Sequence, residues 1–170
     1  METILVTGGI ASGKSVVCRY LESKGFPVYD CDSRTKALYD SVPGLKERVE
    51  EAIGVPFSRI AVIFEYPQKR EALEALVYPL VLEDIRKWQA EQESDVVFIE
   101  SAIALEKPIF DGLYDKVWLV TAPVEQRLLR NRHTAERATA QSLPDPSVAD
   151  ETIINDSTLE SLYRQIDKLI

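Results

Sequence analysis

Hydrophobic and polar positions along this chain of 170 residues follow two spacings: short continuous apolar runs, and longer stretches with helical periodicity. The apolar runs predict β-strands at residues 4–7, 26–29, 96–99, 116–121 and 151–154. The run at 96–99 has no polar interruption, which is typical of a strand buried on both faces of a sheet. Because strands alternate with helices, the pattern indicates an α/β protein with a mainly parallel sheet.

Helical periodicity and turn residues predict the segments between the strands. The predicted helices cover residues 15–24, 34–39, 45–53, 69–92, 123–130 and 157–170. Pro79 interrupts the fourth of these and predicts a kink or a boundary between two helices. The segment 54–68 contains two prolines and a short apolar run, so loop, short helix and strand all remain open for it.

Length, composition, net charge and the few cysteines and histidines restrict the classes of protein to which this chain can belong. The length suits one domain, and 45% hydrophobic with 28% charged residues is ordinary for a globular chain. A net charge of −8 argues against nucleic-acid binding, and we expect neither a membrane span nor a secretory leader. Cys18 and Cys31 lack metal or disulfide spacing and are expected to be reduced thiols of a cytoplasmic protein. With His133 as the only histidine, a multi-histidine metal site is excluded.

The glycine-rich turn after the first predicted strand matches the phosphate-binding pattern G-x-x-x-x-G-K-[S/T]. Glycines in this pattern let backbone N–H groups approach phosphate oxygens, where a β-carbon would intrude. Lys14 has the reach to contact the β- and γ-phosphates, and the Ser15 hydroxyl is a candidate Mg²⁺ ligand. A turn without a ligand is disfavoured, because the segment lies between a strand and a helix as the pattern requires. The residues predicted to bind a nucleoside triphosphate are Gly8, Gly9, Ile10, Ala11, Ser12, Gly13, Lys14 and Ser15.

Two acidic positions follow predicted strands. Ligands of parallel sheets bind at the carboxyl ends of the strands, so Asp32 is a candidate base that accepts a hydroxyl proton during phosphoryl transfer. The alternative is that Asp32 and Ser33 only cap the next helix. Glu100 ends the buried strand, and either orients Mg²⁺ or has a structural role.

A basic run follows the fourth predicted strand. Four arginines within eleven positions, in so acidic a chain, suggest phosphate binding, because Arg makes bidentate contacts with phosphate. The alternative is a solvated helix face. The four are Arg127, Arg130, Arg132 and Arg137.

Taken in order, six motifs resemble those of dephospho-coenzyme A kinases and span nearly the whole chain. They are TGGIASGKS, VYDCD, ALVYPLV, FIESAIALE, VTAP followed by EQRLLR, and ADETIIND. The resemblance implies Mg²⁺-dependent transfer of the γ-phosphate of ATP to the 3′-hydroxyl of dephospho-CoA, the last step of coenzyme A synthesis. It also implies a three-layer P-loop kinase fold within a single domain, 1–170. A helical CoA-binding region over about 33–92 and a lid over about 131–148 belong to that fold.

Residue by residue, the resemblance favours Asp32 as the general base, since it matches the second Asp of the family's D-x-D. Lys14 and Arg132 are the other catalytic candidates, and Arg137 is a further ATP-binding candidate on the lid. Glu106 matches the Glu that closes the family's apolar block.

The chain also departs from the family pattern. Tyr78 stands where the family usually has His, and a phenol carries no positive charge near neutral pH. The chain is shorter than typical members near 54–59 and around the lid, so two alternatives stay open. One is a P-loop kinase of nucleotides or another small metabolite, and the other is a nucleotide-binding protein without catalysis.

Overall fold

The structure is a computed structural model, and it describes residues 1–130 and 143–170. Two compact units are present. The sheet unit comprises Met1–Asp30 and Gln92–Ile170, and the helical unit comprises Cys31–Glu91. Among the described helices, none combines the length and the apolar composition needed to cross a membrane.

A parallel β-sheet forms the centre of the sheet unit. Its strands are β1 Glu2–Gly8, β2 Val28–Asp30, β3 Val96–Glu100, β4 Lys116–Thr121 and β5 Glu151–Ile154. Their order across the sheet is β2-β3-β1-β4-β5, and each pair of neighbours is parallel. The predicted α/β class is therefore confirmed. Because β1 lies between β3 and β4, the chain reverses its direction across the sheet at β1, which is where open parallel sheets bind ligands.

The strand predictions differ from the structure most at β1, which is longer at both ends than the predicted 4–7, and at β2. Residues 26–29 were predicted, but the strand begins at Val28. Pro27 has no N–H to donate to a ladder, although its carbonyl accepts a 2.9 Å hydrogen bond from the Phe98 N–H.

The α-helices also follow the predicted order. They are α1 Lys14–Ser23, α2 Cys31–Ser41, α3 Leu45–Ile53, α4 Pro67–Ala90, α5 Val124–Arg130 and α6 Leu159–Asp167. Thr158 caps α6 by accepting a hydrogen bond from the Ser161 N–H, so this helix begins two residues later than predicted.

Helices α1 and α6 pack on one face of the sheet, and aromatic rings fill the centre of that core. Phe98 lies edge-on to Phe26, with ring centroids 5.5 Å apart, and 5.1 Å from the ring of Trp118. Replacing a buried ring of this kind with Ala typically costs about 3–5 kcal/mol of stability. The buried members of the core are Ile4, Val6, Val17, Cys18, Leu21, Phe98, Trp118, Val120, Ile153, Leu162 and Ile166.

The helical unit answers two questions that the sequence left open. Segment 54–68 contains a 3₁₀ helix, Phe57–Glu65, whose first N–H donates a 2.7 Å hydrogen bond to the side chain of Glu50. The boundary considered at Pro79 is absent, because α4 continues through it. Val77 and Val81 are buried on either side of Pro79, and this packing offsets the backbone hydrogen bond that proline cannot donate.

Candidate nucleotide-binding site

The phosphate-binding pattern forms the loop between β1 and α1, at the carboxyl end of the central strand. Gly13 has a left-handed φ of 105°, and a β-carbon there would meet the side-chain amide of Asn155. Ala11 has a left-handed φ of 59°, which is uncommon for a residue with a side chain and marks local backbone strain. The sequence therefore folds here into a compact turn that only small residues allow.

Lys14 is the first residue of α1, and its side chain folds back over the loop. Its ammonium donates hydrogen bonds to the carbonyl oxygens of Gly8, at 2.9 Å, and Gly9, at 3.1 Å. A positive charge is thus held at the loop and at the positive end of the helix dipole, as an anion-binding site requires.

A carboxylate cluster lies beside the loop. The Ser15 hydroxyl donates a 2.7 Å hydrogen bond to Oε1 of Glu100, at the end of β3. Burial raises the pKa of the Glu100 carboxyl, and the negative charge of Asp30 adds to this, while the Ser15 hydrogen bond and the charge of Lys14 act in the opposite direction. A cavity of about 250 Å³ opens here, lined by Ser15, Cys18, Arg19, Glu22, Val28, Asp30 and Glu100.

The donor atoms of this cluster suit Mg²⁺. The Ser15 hydroxyl and the carboxylates of Asp30 and Glu100 offer the oxygen ligands that Mg²⁺ prefers. Within residues 1–130 and 143–170, no group of three or more His, Cys, Asp or Glu side chains forms a metal cage. Mg²⁺ is usually bound by one or two protein side chains together with substrate phosphates and water.

A second cavity, of about 210 Å³, lies on the other side of the loop, against the end of β4. Most of its lining is apolar, and the size and character suit a flat aromatic ring better than a charged group. It is lined by Gly9, Ser12, Leu119, Val120, Thr121, Ala122, Arg127, Leu143, Pro144 and Pro146.

The basic run has two members in the described part of the chain, and both contact the loop backbone. Arg127 Nε donates a 2.8 Å hydrogen bond to the carbonyl of Ile10, and Arg130 donates one of 3.1 Å to that of Ala11. Arg127 is buried, so a solvated helix face is wrong for this residue. Arg132 and Arg137, the predicted lid arginines, lie outside the described residues.

Asp32 belongs to the helical unit. Helix α2 begins at Cys31, so its capping position is Asp30 and Asp32 lies two positions later, in the first turn; the alternative in which Asp32 and Ser33 only cap this helix is therefore wrong. An acidic side chain in the first turn still interacts favourably with the helix dipole. Its role as a base stays a prediction.

Tyr78 lies in the middle of α4, where its hydroxyl donates a 3.3 Å hydrogen bond to Glu74. Burial raises the pKa of the Tyr78 phenol well above its ordinary value, and the negative charge of Glu74 adds to the shift. The residue that departs from the family pattern is thus a neutral hydrogen-bonding group.

Two residues of this site were not predicted from the sequence. Asn155 follows β5 directly and donates a 2.9 Å hydrogen bond to the carbonyl of Ser12. The rule that ligands meet the carboxyl ends of parallel strands could have found it. Cys18 lies one turn after Ser15 on α1, a spacing that puts both side chains on one face of the helix.

Comparison with known proteins decides the family. A model of the dephospho-CoA kinase family matches residues 58–158. A dephospho-CoA kinase of Porphyromonas gingivalis is 35% identical to this chain, over 91% of the chain and 86% of the relative. The chain belongs to the dephospho-CoA kinase family. A second family member, from Thermosynechococcus vestitus, is 30% identical over 96% of this chain and 90% of its own length.

Solved structures agree with the fold. A crystal structure of a Thermus thermophilus protein superposes with a TM-score of 0.82 at 30% identity, covering 99% of this chain and 95% of the other. A shikimate kinase from Acinetobacter baumannii superposes with a TM-score of 0.55 at 17% identity, covering 99% of this chain and 90% of the other, and shows a shared fold only. The predicted P-loop kinase fold and the predicted family are both confirmed.

Proposed function

We propose that this protein transfers the γ-phosphate of ATP to the 3′-hydroxyl of dephospho-CoA, giving CoA and ADP. The observation that carries the proposal is that a chain of this family retains a folded phosphate loop with Lys14 bonded across it. Ser15 and Glu100 stand beside that loop. The proposed ATP-binding residues are those of the loop, from Gly8 to Ser15.

The phosphates and the adenine ring of ATP each have a matching feature of the site. The loop N–H groups and Lys14 suit the phosphates, because they supply positive charge where the transferred group carries negative charge. The apolar cavity at the end of β4 suits the adenine ring. Ser15, with Glu100 behind it, would hold Mg²⁺, which when bound neutralises charge on the β- and γ-phosphate oxygens.

On the acceptor side, Asp32 is the proposed base. The 3′-hydroxyl of dephospho-CoA loses its proton to the Asp32 carboxylate while its oxygen bonds to the γ-phosphorus. The bond from that phosphorus to the β–γ bridging oxygen breaks, and ADP leaves with the electron pair. Arg132 and Arg137 are proposed to offset negative charge on the transferred group.

We also propose a domain organisation, a set of partners and a cellular location for this protein. We propose a single kinase domain, 1–170, with a substrate region at about 33–92 and a lid at about 131–148. The partners are the small molecules ATP and dephospho-CoA, and we propose no nucleic-acid partner. Cys18 and Cys31 are free thiols, which suits a cytoplasmic enzyme.

A competition of acceptors tests the proposal. Purified protein is given ATP and Mg²⁺ with dephospho-CoA, AMP, cytidylate or shikimate, and phosphorylated products are separated by chromatography. We expect dephospho-CoA to be phosphorylated at least about a hundredfold faster than the others, since a site that bonds the substrate's polar groups rejects analogues lacking them. Faster transfer to another acceptor would indicate a different small-molecule kinase. Binding of ATP without transfer to any acceptor would indicate a nucleotide-binding protein.

A further inference from the structure

The outward-facing carbonyls of the phosphate loop are held by side chains from two other elements. Arg127 Nε donates to the carbonyl of Ile10 at 2.8 Å, and Arg130 Nη1 donates to that of Ala11 at 3.1 Å. The carbonyl of Ser12 receives the Asn155 amide at 2.9 Å and a longer contact from Arg130 at 3.4 Å. Three consecutive peptides therefore have a donor on their carbonyl side.

A side chain that holds a loop carbonyl also fixes the direction of the N–H group on the other side of the same peptide. In a planar trans peptide the carbonyl and the following N–H point in opposite directions. Holding the carbonyls of residues 10, 11 and 12 therefore fixes the direction of the N–H groups of residues 11, 12 and 13. Of these three, the N–H of Ser12 closes the loop by donating a 3.1 Å hydrogen bond to the carbonyl of Gly9. The N–H groups of Ala11 and Gly13 are the ones that a phosphate loop directs at phosphate oxygens.

Two of the loop glycines lie against these side chains. A β-carbon at Gly9 would lie 2.6 Å from Nη2 of Arg127 and 2.7 Å from Cδ2 of Leu143, which are the ends of flexible side chains. One at Gly13 would meet the amide of Asn155, and the φ of 105° there favours glycine as well. Gly13 in particular thus leaves room for the Asn155 donor on the carbonyl side of the loop.

The donors are themselves anchored to the sheet. The Asn155 N–H donates a 2.7 Å hydrogen bond to the carbonyl of Thr121 at the end of β4. The Asn155 carbonyl accepts a contact of 3.3 Å from Nη2 of Arg130. Arg127 is only 3% exposed, so its positive charge lies in the protein interior behind the loop, where weak solvent screening strengthens attraction to an anion.

We propose that Arg127, Arg130 and Asn155, here called the loop bracket, are positioning residues that set the direction of the loop N–H groups and so tune phosphate affinity. This inference rests on the proposed binding of ATP by the loop. The bracket acts through the loop backbone, and its contribution grows with the number of phosphates that the loop holds.

Arg130 gives the sharpest test because it is exposed and its replacement leaves the core intact. The affinities of ATP, ADP and AMP are measured by titration calorimetry for wild type, Arg130→Met and Arg130→Lys. For Arg130→Met we expect ATP and ADP affinities to fall about tenfold, with AMP changed less than about twofold. Arg130→Lys keeps a charged donor and is expected to recover part of the loss. Arg164→Met, on the exposed face of α6, removes an arginine outside the site and is the matched control.

Several results would overturn the loop bracket. An equal loss of affinity for all three nucleotides would indicate a general structural role. Unchanged ATP affinity in Arg130→Met would show that the Arg130 hydrogen bonds to the loop carbonyls do not affect phosphate binding. Thermal unfolding of each variant without ligand verifies the fold. Asn155→Asp, which loses the hydrogen-bond donor to the Ser12 carbonyl, is a second variant, and it should also lose affinity for ATP and ADP with little change for AMP. If wild type binds ATP but phosphorylates no dephospho-CoA, the proposed function fails while these binding comparisons still decide the bracket.

Discussion

The hydroxyl of Ser15 donates a 2.7 Å hydrogen bond to the carboxylate of Glu100. This bond joins the first turn of α1 to the carboxyl end of β3, the neighbour of the strand that carries the phosphate loop. The sequence positions of the two residues are far apart, yet the parallel sheet brings them to one edge. A hydroxyl that is already oriented by a half-buried carboxylate is well placed to bind a hard cation such as Mg²⁺.

The first prediction concerns Mg²⁺. In Ser15→Ala, the oxygen that would bind the cation is lost, so the Mg²⁺ concentration for half-maximal activity is expected to rise about tenfold or more. The measurement is a Mg²⁺ titration of phosphate transfer at a fixed high ATP concentration. Ser23→Ala, at the other end of α1, is the control and should leave the titration unchanged. A Ser15→Ala titration that coincides with wild type would remove Ser15 from the metal site.

The second prediction concerns the proposed base. Asp32→Asn keeps the size of the side chain but removes its ability to accept a proton, so turnover should fall by about 10²–10⁴-fold. ATP affinity should stay within about twofold of wild type. The measurements are kcat with saturating substrates and ATP binding by calorimetry. Asp40→Asn makes the same change on the surface near the end of α2 and should retain wild-type turnover. Full turnover in Asp32→Asn would contradict the role of Asp32.

The third prediction concerns the two thiols. Burial, together with the negative charge of Glu100, raises the pKa of the Cys18 thiol well above its ordinary value. Since the thiolate is the reactive form, Cys18 in the folded protein should react with Ellman's reagent at least about a hundredfold more slowly than the partly exposed Cys31. Cys31→Ser should remove the fast phase, whereas Cys18→Ser should keep it. Rapid reaction of both thiols without denaturant would contradict the burial of Cys18.

The fourth prediction concerns stability at alkaline pH. Burial raises the pKa of the Tyr78 phenol above its ordinary value of 10.0, so the folded protein holds this proton more tightly than the unfolded chain. The stabilisation is complete below pH 10 and declines as the pH rises toward the folded-state pKa, by at most about 1.4 kcal/mol per pH unit. Urea unfolding at about pH 9 and about pH 11 should show a smaller loss for Tyr78→Phe than for wild type.

The control for this measurement is Tyr66→Phe, because Tyr66 is an exposed tyrosine of the same unit. Its loss of stability between the two pH values should match that of wild type. Equal losses in Tyr78→Phe and wild type would show that the Tyr78 proton is not linked to folding.

Local patterns predicted most of the fold because they report directly on burial. The strand Lys116–Thr121 and the helix Leu45–Ile53 were predicted with the bounds that the structure gives. The run at 96–99 identified a central strand for the same reason, since both of its faces are covered. At Pro79, of the two predicted alternatives, the helix boundary is wrong, because tertiary packing on both sides of the proline outweighs its local propensity, and the kink stays a prediction.

The site was harder to predict where backbone groups are the partners. The loop pattern identified Lys14 and Ser15, because it specifies a lysine followed by a serine or threonine at these two positions. Arg127 and Arg130 were expected to bind phosphate, which stays a prediction, and their hydrogen bonds to loop carbonyls were not predicted. Carbonyl acceptors are present at every residue, so no sequence pattern indicates which of them a distant arginine will meet.

The position of β1 in the middle of the sheet has a consequence for how the protein is made. The strand comprises residues 2–8, but it pairs with β3 and β4 at 96–100 and 116–121, which leave the ribosome much later. The helical unit Cys31–Glu91 is a continuous stretch whose helices contact one another, and contacts between near neighbours form quickly. We therefore expect the phosphate loop, although it is synthesised before β3 and β4, to become ordered only after both strands have emerged, so a nascent chain acquires affinity for ATP only once β4 is available for pairing.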